Sequence, residues 1–202
     1  MPQTTSPTAI LDFWFGAHAG DSATAQARQQ LWWSKNAVVD AEIRERFGPA
    51  VAAAAAGAYR EWAREPRGRL ALILLFDQFP RNIYRETPQA FAHDGLALRL
   101  ALDGIAAAAD RPLRAIERVF CYLPLEHAES LALQERSVAL FTALADSVPE
   151  ADRKTFAGFA DYAVRHCDVI RRFGRFPHRN RILGRTSTAA EEQFLQQPGS
   201  SF

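Results

Sequence analysis

The sequence has few of the residues that build disulfide frameworks or metal sites. It contains two cysteines in 202 residues. Cys121 and Cys167 lie far apart and form no closely spaced pair of the kind that zinc sites use. The sequence therefore predicts a reduced, cytoplasmic protein in which both thiols are buried packing groups. It also lacks a phosphate-binding glycine loop and a zinc motif, so we expect no cofactor.

An excess of one charge and a long apolar run are also missing. There are 24 basic and 23 acidic residues, which gives a net charge of +1 and no general attraction to nucleic acid or to an anionic membrane. The longest apolar runs, such as 70–76, are far shorter than the roughly 20 residues that span a bilayer. Residues 1–8 are polar, so no signal peptide is expected. The sequence thus predicts neither a nucleic-acid partner nor a membrane partner.

What the sequence does contain is enough apolar material for one sizeable core. Hydrophobic residues make up 48% of the chain and aromatic residues 11%. A chain of this length buries most of its apolar surface as a single unit. We therefore expect one domain over residues 1–202.

Helical periodicity and helix caps predict an all-α fold in the first half of the chain. Ser6-Pro7 has the form of a helix start and Gly16 that of a helix end. A loop over 17–21 and a helix over 22–33 are expected next. Gly48-Pro49 should separate a short helix over 40–47 from an alanine-rich helix over 50–64.

The second half continues the helical pattern, and no segment shows the alternation of a strand. The predicted helices span 69–79, 87–108, 112–122 and 124–145. Spacings typical of capping boxes at 147–150 and 188–191 introduce a helix ending at Phe173 and a short final helix. The whole predicts antiparallel helical hairpins in an array like that of tetratricopeptide repeats, although the strict repeat signature is absent.

Two polar motifs with related sequences stand out from this helical pattern. The first is Phe76-Asp77-Gln78-Phe79-Pro80-Arg81-Asn82, and the second is Phe173-Gly174-Arg175-Phe176-Pro177-His178-Arg179-Asn180. Both read Phe-x-x-Phe-Pro and then become polar. We expect the two segments to form facing walls of one site.

Polar residues also occur on helix faces that should be apolar. Asp77, His127, Gln134 and His166 each share a helical stripe with core residues. A buried polar group without a partner destabilises a fold by roughly 1–3 kcal/mol. We therefore expect these four residues to lie around one polar cavity, where they bond to each other or to a ligand.

Seven arginines lie between residues 165 and 185, against the single acid Asp168. Arginine binds carboxylates and phosphates equally well. In one interpretation Arg175 and Arg179 pair with Glu126, Glu129 and Asp77 and hold the C-terminal segment in place. In the other, arginines and histidines remain in excess and bind a small anion.

Four stretches together resemble a known family. They are Phe13-Trp14-Phe15-Gly16, the segment 75–82, the segment 122–127 with Glu129, and the segment 173–180 followed by Leu183-Gly184-Arg185. The chain resembles the bacterial "domain of unknown function" family numbered 924 over nearly its whole length. Ala128 stands where that family more often has serine, and Phe76 where it has leucine. The resemblance implies an all-helical, tetratricopeptide-like fold with no established activity, and it supplies no catalytic residue.

The favoured hypothesis is a site for a small anionic ligand, with catalysis left open. If the site is catalytic, Asp77, Glu126 or His127 is the expected acid or base. The candidate ligand-binding residues are Asp77, Gln78, Arg81, Asn82, Glu126, His127, Glu129, His166, Arg175, His178, Arg179 and Asn180. No residue is assigned as a metal ligand.

Three other functions remain as alternatives. A helical-repeat scaffold would bind a peptide or protein along a groove lined by Trp14, Trp32, Trp33 and Trp62, whereas core packing is the simpler role for those side chains. A metal site would use the same histidines and glutamates, whose spacing matches no familiar motif. RNA binding would use the arginine segment, against the neutral overall charge.

Overall fold

The computed structural model describes residues 5–17 and 20–200, and all regular structure within them is helical. The loop predicted at 17–21 includes residues 18 and 19, and the polar N-terminal stretch includes residues 1–4, so both lie partly outside the described residues. The prediction of an all-α protein is confirmed. Within residues 5–17 and 20–200, no helix is long and apolar enough to cross a bilayer.

The first helix begins where its cap predicts, and the helices predicted to begin at 22 and 40 begin at Asp21 and Ala37. Helix α1 covers Pro7–Phe15, with the Ser6 hydroxyl accepting a hydrogen bond from Ala9 N–H. Helix α2 covers Asp21–Trp33 and α3 covers Ala37–Ala55. The predicted break at Gly48-Pro49 is wrong. Pro49 removes one backbone bond, and the continuous burial of Phe47 and its neighbours on α3 outweighs that loss.

The predicted helix over 50–64 therefore does not exist as one element. After α3 the chain turns and forms a short 3₁₀ helix, Arg60–Arg64. Helix α4 then covers Pro66–Ile73 and continues without a break into a π-helical turn, Leu74–Gln78, and into α5, Phe79–Ile83. The first polar motif thus lies across a π turn inside a longer helical segment.

The helix predicted over 87–108 is interrupted near its start. Pro88–Phe91 is a 3₁₀ turn, and α6 begins only at Asp94 and ends at Ala106. The interruption matters for the site because it places Asp94 in the first turn of α6 and Phe91 in the connection before it.

The boundary predicted at Pro124 is also wrong. Helix α7 covers Ala115–Glu126 and runs through Pro124, and α8 covers Leu131–Ser147. Nearly every residue of α7 is buried, so packing outweighs the missing proline N–H, a loss of about 3 kcal/mol in an unsupported helix. His127 caps the C-terminal end of α7 and is not, as predicted, an early residue of the next helix.

The C-terminal part follows the predicted order. Helix α9 covers Glu150–Phe173 and ends at Gly174, whose φ of 70° is readily adopted by glycine. The capping box expected at 147–150 does not form, because Ser147 still belongs to α8. A 3₁₀ turn covers Pro177–Arg179, and α10 covers Ala189–Leu195, with both bonds of the capping box at Thr188 and Glu191 present.

The main core lies between the N-terminal helices and α4 to α9. Trp14, Phe79 and Phe120 lie at its centre, with Trp14 in ring contact with both phenylalanines. Helices α8 and α9, joined by only two residues, pack against each other more extensively than any other pair. A smaller cluster of Val169, Ile170 and Phe176 holds the second polar motif against the end of α9.

Candidate functional site

The π turn at Leu74–Gln78 places a carboxylate inside the protein. The N–H of Phe79 donates to the carbonyl of Leu74, five residues earlier, and Pro80 directly after it has no N–H to donate. A single π turn adds one residue to the helix and changes the direction of the side chains that follow, and such turns are frequent at functional sites. Asp77 within this turn is 1% exposed.

Asp77 forms a short hydrogen bond with His127, at the end of α7. Its Oδ1 lies 2.7 Å from Nδ1 of His127, and its Oδ2 accepts a bond of 2.6 Å from the amide of Gln78. Burial alone would raise the pKa of Asp77, but Arg81 and the bonds from His127 and Gln78 outweigh it and hold that pKa below its usual range. Asp77 is therefore ionised at neutral pH and can only accept, so Nδ1 of His127 carries the proton.

Arg81 links this pair to the start of α6. Its guanidinium binds both carboxylate oxygens of Asp94, at 2.8 and 3.0 Å, and donates to the backbone carbonyl of Asp77 at 2.6 Å. It also lies 3.4 Å from Oδ1 of Asp77. Arg81 is thus balanced by two carboxylates and is not a free cation for a ligand.

A second carboxyl–imidazole pair, Glu126 and His166, lies next to the pair of Asp77 and His127. Oε1 of Glu126 lies 3.2 Å from Nδ1 of His166, which also contacts the carbonyl of Tyr162 at 2.9 Å. The ring centres of His127 and His166 are 6.3 Å apart, so the two histidines lie close together.

Gln134 supports the end of α7 from helix α8. Its amide nitrogen donates to the carbonyls of Glu126 and Ala128, at 2.6 and 2.8 Å. These carbonyls belong to the end of a helix and have no partner within it. The buried glutamine therefore holds in place the turn that carries His127.

A cleft of about 520 Å³ opens next to His127. Such a volume is within the range of small-molecule sites. The cleft lies between the start of α6, the end of α7, the start of α8 and the second polar motif. Its polar lining residues are Asp94, His127, Glu129, Ser130 and Arg179, and its apolar ones include Phe91, Leu98, Leu133 and Leu183.

Arg179 lines the cleft and forms a longer ion pair than the neighbouring Arg81 and Arg185 do. Its Nη1 donates to the carbonyl of His127 at 3.1 Å and lies 3.7 Å from Asp94, and the guanidinium lies over the rings of Phe91 and Phe176. Burial and the neighbouring Arg81 lower the pKa of Arg179 to about 10, so it keeps its charge at neutral pH. Nε of Arg179 has no partner among the described residues.

Glu129 ties the second polar motif to the rest of the site. It accepts from the N–H of Phe176 at 2.8 Å and from both terminal nitrogens of Arg185, at 2.6 and 2.9 Å. These bonds outweigh partial burial and lower the pKa of Glu129. Arg185 also donates to the carbonyl of Phe176. Glu129 and Arg185 together therefore hold the two ends of the segment 176–185 close to each other.

Three predicted site residues belong to other clusters. Asn82 donates to Asp40, which also binds Arg85. Arg175 forms a two-bond pair with Glu191, at 2.7 and 2.8 Å, and thereby fastens α10. Asn180 donates to Ser187 beside that pair.

The predicted pairings of the arginines are therefore partly wrong. Arg175 binds Glu191 instead of Glu126, Glu129 or Asp77, and the partner of Glu129 is Arg185. The second polar motif is linked to the first through Asp94, which binds Arg81 and lies 3.7 Å from Arg179. Gly174, with a φ of 70°, and the turn after it direct Arg175 toward α10 instead. His178 lies in ring contact with Phe176, and burial, with Arg179 nearby, lowers its pKa to about 3.

Sequence reasoning missed Asp94 and the apolar lining residues of the cleft. The predicted helix over 87–108 places Asp94 in a helix interior, whereas the interruption after Phe91 puts it in the first turn of α6, where it binds Arg81. An acidic residue at this position is typical of a helix start, which was the available signal. Among the described residues, no group of three or more histidine, cysteine or acidic side chains is arranged to hold a metal ion.

The fold and the cleft define an all-helical protein in which polar and apolar side chains surround an opening of small-molecule size. The chain belongs to the family described as bacterial protein of unknown function (DUF924), whose family model matches residues 10–199, and the resemblance drawn from the motifs is confirmed. A solved structure of a protein of unknown function from Agrobacterium tumefaciens, ATU0120, is similar, at 36% identity with a TM-score of 0.78. The match covers 94% of this chain and 96% of that one. No curated protein matches the chain.

Proposed function

We propose that the chain binds a small anionic molecule in the cleft beside His127 and Arg179. The observation that carries the proposal is the incomplete pairing of Arg179. A buried guanidinium with unused donors favours an anion more strongly than a solvated one, because water screens it less. The polar lining residues come from the start of α6 (Asp94), from the end of α7 and the turn after it (His127, Glu129 and Ser130), and from the second Phe-x-x-Phe-Pro motif (Arg179). Asp77 and Arg81 of the first motif act on the lining through their bonds to His127 and Asp94.

The charges around the cleft favour a single negative charge on the ligand. Arg81 and Arg185 are balanced by acidic partners, while Asp94 and Glu129 line the same opening and repel additional negative charge. Apolar side chains, Phe91, Leu98, Leu133 and Leu183, also line the cleft. A monocarboxylate with an apolar tail fits this lining better than phosphate or a dicarboxylate does.

Thermal unfolding with a panel of anions tests the proposal. Hexanoate and octanoate should raise the Tm of the wild type, and acetate, adipate and phosphate should raise it less. Saturation at 100 times Kd would stabilise the protein by about 2.7 kcal/mol. If no carboxylate or phosphate raises the Tm, the proposal fails.

Two arginine variants locate the binding. R179Q should abolish the hexanoate shift, whereas R175Q should retain it, because Arg175 pairs with Glu191 away from the cleft. The charge-conserving R179K variant separates loss of charge from loss of fold. A hexanoate shift of unchanged size in folded R179Q would contradict the assignment of Arg179.

A scaffold that binds a peptide or protein along a tetratricopeptide-like array is the second proposal we retain, with less support. Trp14 and Trp32 are buried in the core, so these side chains do not line a groove. Only Trp33 among the four tryptophans is half exposed. A protein captured in one-to-one ratio, and lost on mutation of Trp33, would favour this alternative.

A further inference from the structure

The cleft contains a proton acceptor in addition to an anion-binding group. His127 lines the opening, and its Nδ1 is held by Asp77 at 2.7 Å. Because Asp77 is ionised, the proton of a neutral His127 resides on Nδ1. Nε2 then carries the lone pair and is the nitrogen that can accept a proton.

Neighbouring side chains hold the carboxylate of Asp77 in place next to the imidazole of His127. Gln78 binds one oxygen of Asp77, and Arg81 lies beside the other and binds the backbone carbonyl of Asp77. A buried, ionised and immobilised carboxylate of this kind sets the tautomer of its histidine and stabilises the imidazolium that forms when the histidine accepts a proton.

His127 is neutral at the pH where it would act as a base. Burial lowers its pKa, Asp77 raises it, and Arg81 and Arg179 lower it further. The charged and titratable groups around the ring are Asp77, Arg81, His166, His178 and Arg179.

From this geometry we infer that the cleft hydrolyses acyl esters, with His127 as general base, Asp77 as its positioning residue and Arg179 as the cation beside the oxyanion. The inference rests on the proposed function and names its chemistry: the monocarboxylate that Arg179 binds is the product of the reaction. The side-chain hydrogen bond of His127 among the described residues is to Asp77, with no hydroxyl or thiol partner, so the inferred attacking group is water.

The proton and the electrons balance in two steps. Nε2 of His127 takes a proton from water as the water oxygen bonds to the ester carbon, and the carbonyl π pair moves onto its oxygen. The pair then returns, the bond from carbon to the alkoxide oxygen breaks, and the alkoxide takes the proton from Nε2. An ester and water become a carboxylic acid and an alcohol, and the acid ionises to the anion held by Arg179.

Hydrolysis of 4-nitrophenyl butyrate, hexanoate and octanoate, followed by nitrophenolate release, tests the inference. H127Q should reduce kcat/KM at least 100-fold, in line with the usual contribution of a general base. H93Q, which changes a histidine outside the cleft lining, should stay within twofold of the wild type. Absence of turnover by the wild type, or equal turnover by H127Q, would overturn the inference.

The pH profile distinguishes positioning by Asp77 from a purely structural role. Asp77 raises the pKa of His127, so in D77N the rising limb of kcat/KM should move to lower pH while the plateau falls about tenfold or more. D103N, at an exposed carboxylate on α6, should leave the profile unchanged. A profile in D77N that keeps the wild-type limb would show that Asp77 does not act through His127.

Two further measurements keep the inference separate from the proposed function. Nitrogen-15 NMR of the wild type should show His127 protonated at Nδ1, and protonation of the neutral ring at Nε2 would overturn the inference whichever ester is used. Hexanoate should still stabilise H127Q. If hexanoate binds the wild type and no ester is hydrolysed, the binding site stands and the catalytic inference falls.

Discussion

Oε1 of Glu126 lies 3.2 Å from Nδ1 of His166 in the interior of the protein. Burial, with Asp77 nearby, raises the pKa of Glu126 to about 8, and burial lowers the pKa of His166 to about 3. The contact therefore joins a carboxylic acid to a neutral imidazole. It differs in kind from the neighbouring contact between Asp77 and His127, in which the carboxylate is ionised.

The first prediction concerns stability as a function of pH. Glu126 binds a proton more tightly in the folded than in the unfolded protein, so its contribution to stability falls as pH rises from about 4.5 to about 8. His166 and His178 have lowered folded-state pKa values of about 3, so their contributions increase as pH rises from about 3 to 6.5. The free energy of unfolding should therefore be greatest near pH 6.5 and decline toward pH 8.

Denaturant unfolding between pH 5 and 9 checks this expectation. E126Q cannot ionise, so the decline above pH 6.5 should be reduced by more than ~1 kcal/mol, since one pKa unit corresponds to about 1.4 kcal/mol. E45Q changes an exposed glutamate on α3 and should keep the wild-type decline. An E126Q profile that matches the wild type would mean that Glu126 is ionised in the folded protein.

The second prediction compares two glutamate–arginine pairs. E129Q should lower the free energy of unfolding by about 1–3 kcal/mol, because charge-assisted bonds to Arg185 and Phe176 weaken together. E150Q affects an exposed pair with Arg153 and should change stability by less than ~0.5 kcal/mol. Hydrogen exchange should show faster exchange over 176–185 in E129Q. Equal effects of the two substitutions would contradict the role of Glu129.

The third prediction concerns two helical glycines with different surroundings. A Cβ on Gly68 would lie 2.3 Å from the backbone carbonyl oxygen of Trp62, so G68A should destabilise the protein by about 1–3 kcal/mol or more. Gly158 on α9 is exposed and has nothing within 4 Å of an added Cβ, so G158A should stabilise it by about 0.5–1 kcal/mol. Chemical denaturation of both variants measures the contrast, and a stabilising G68A would mean that the 3₁₀ turn can move away.

Local signals predicted helix content and several helix ends well. Ser6, Gly16 and the capping box at Thr188 act through hydrogen bonds within a few residues, so the sequence contains both partners. The helix breaks predicted at Gly48-Pro49 and at Pro124 were wrong. The effect of these residues on a helix is a few kcal/mol, and the burial of the surrounding side chains, which no local window contains, outweighs it.

For the site, the inward direction of Asp77, His127, Gln134 and His166 followed from periodicity. Three of them are buried and His127 lies at the edge of the cleft. Periodicity did not predict which acidic residue pairs with which basic residue. Arg175 binds Glu191, and Arg81 binds Asp94, because a π turn, a helix interruption and a turn after Gly174 direct these side chains.

The sequence by itself determined an all-helical chain, its family and a set of polar residues that must lie inside. It did so because periodicity, capping and composition act over a few residues or over the whole chain. Only the tertiary structure decided that Arg179 lies beside His127 with its Nε unpaired among the described residues, and that Phe91 and Leu183 line the same cleft. That choice depends on the packing of segments far apart in sequence, and small changes in backbone direction decide which charges meet.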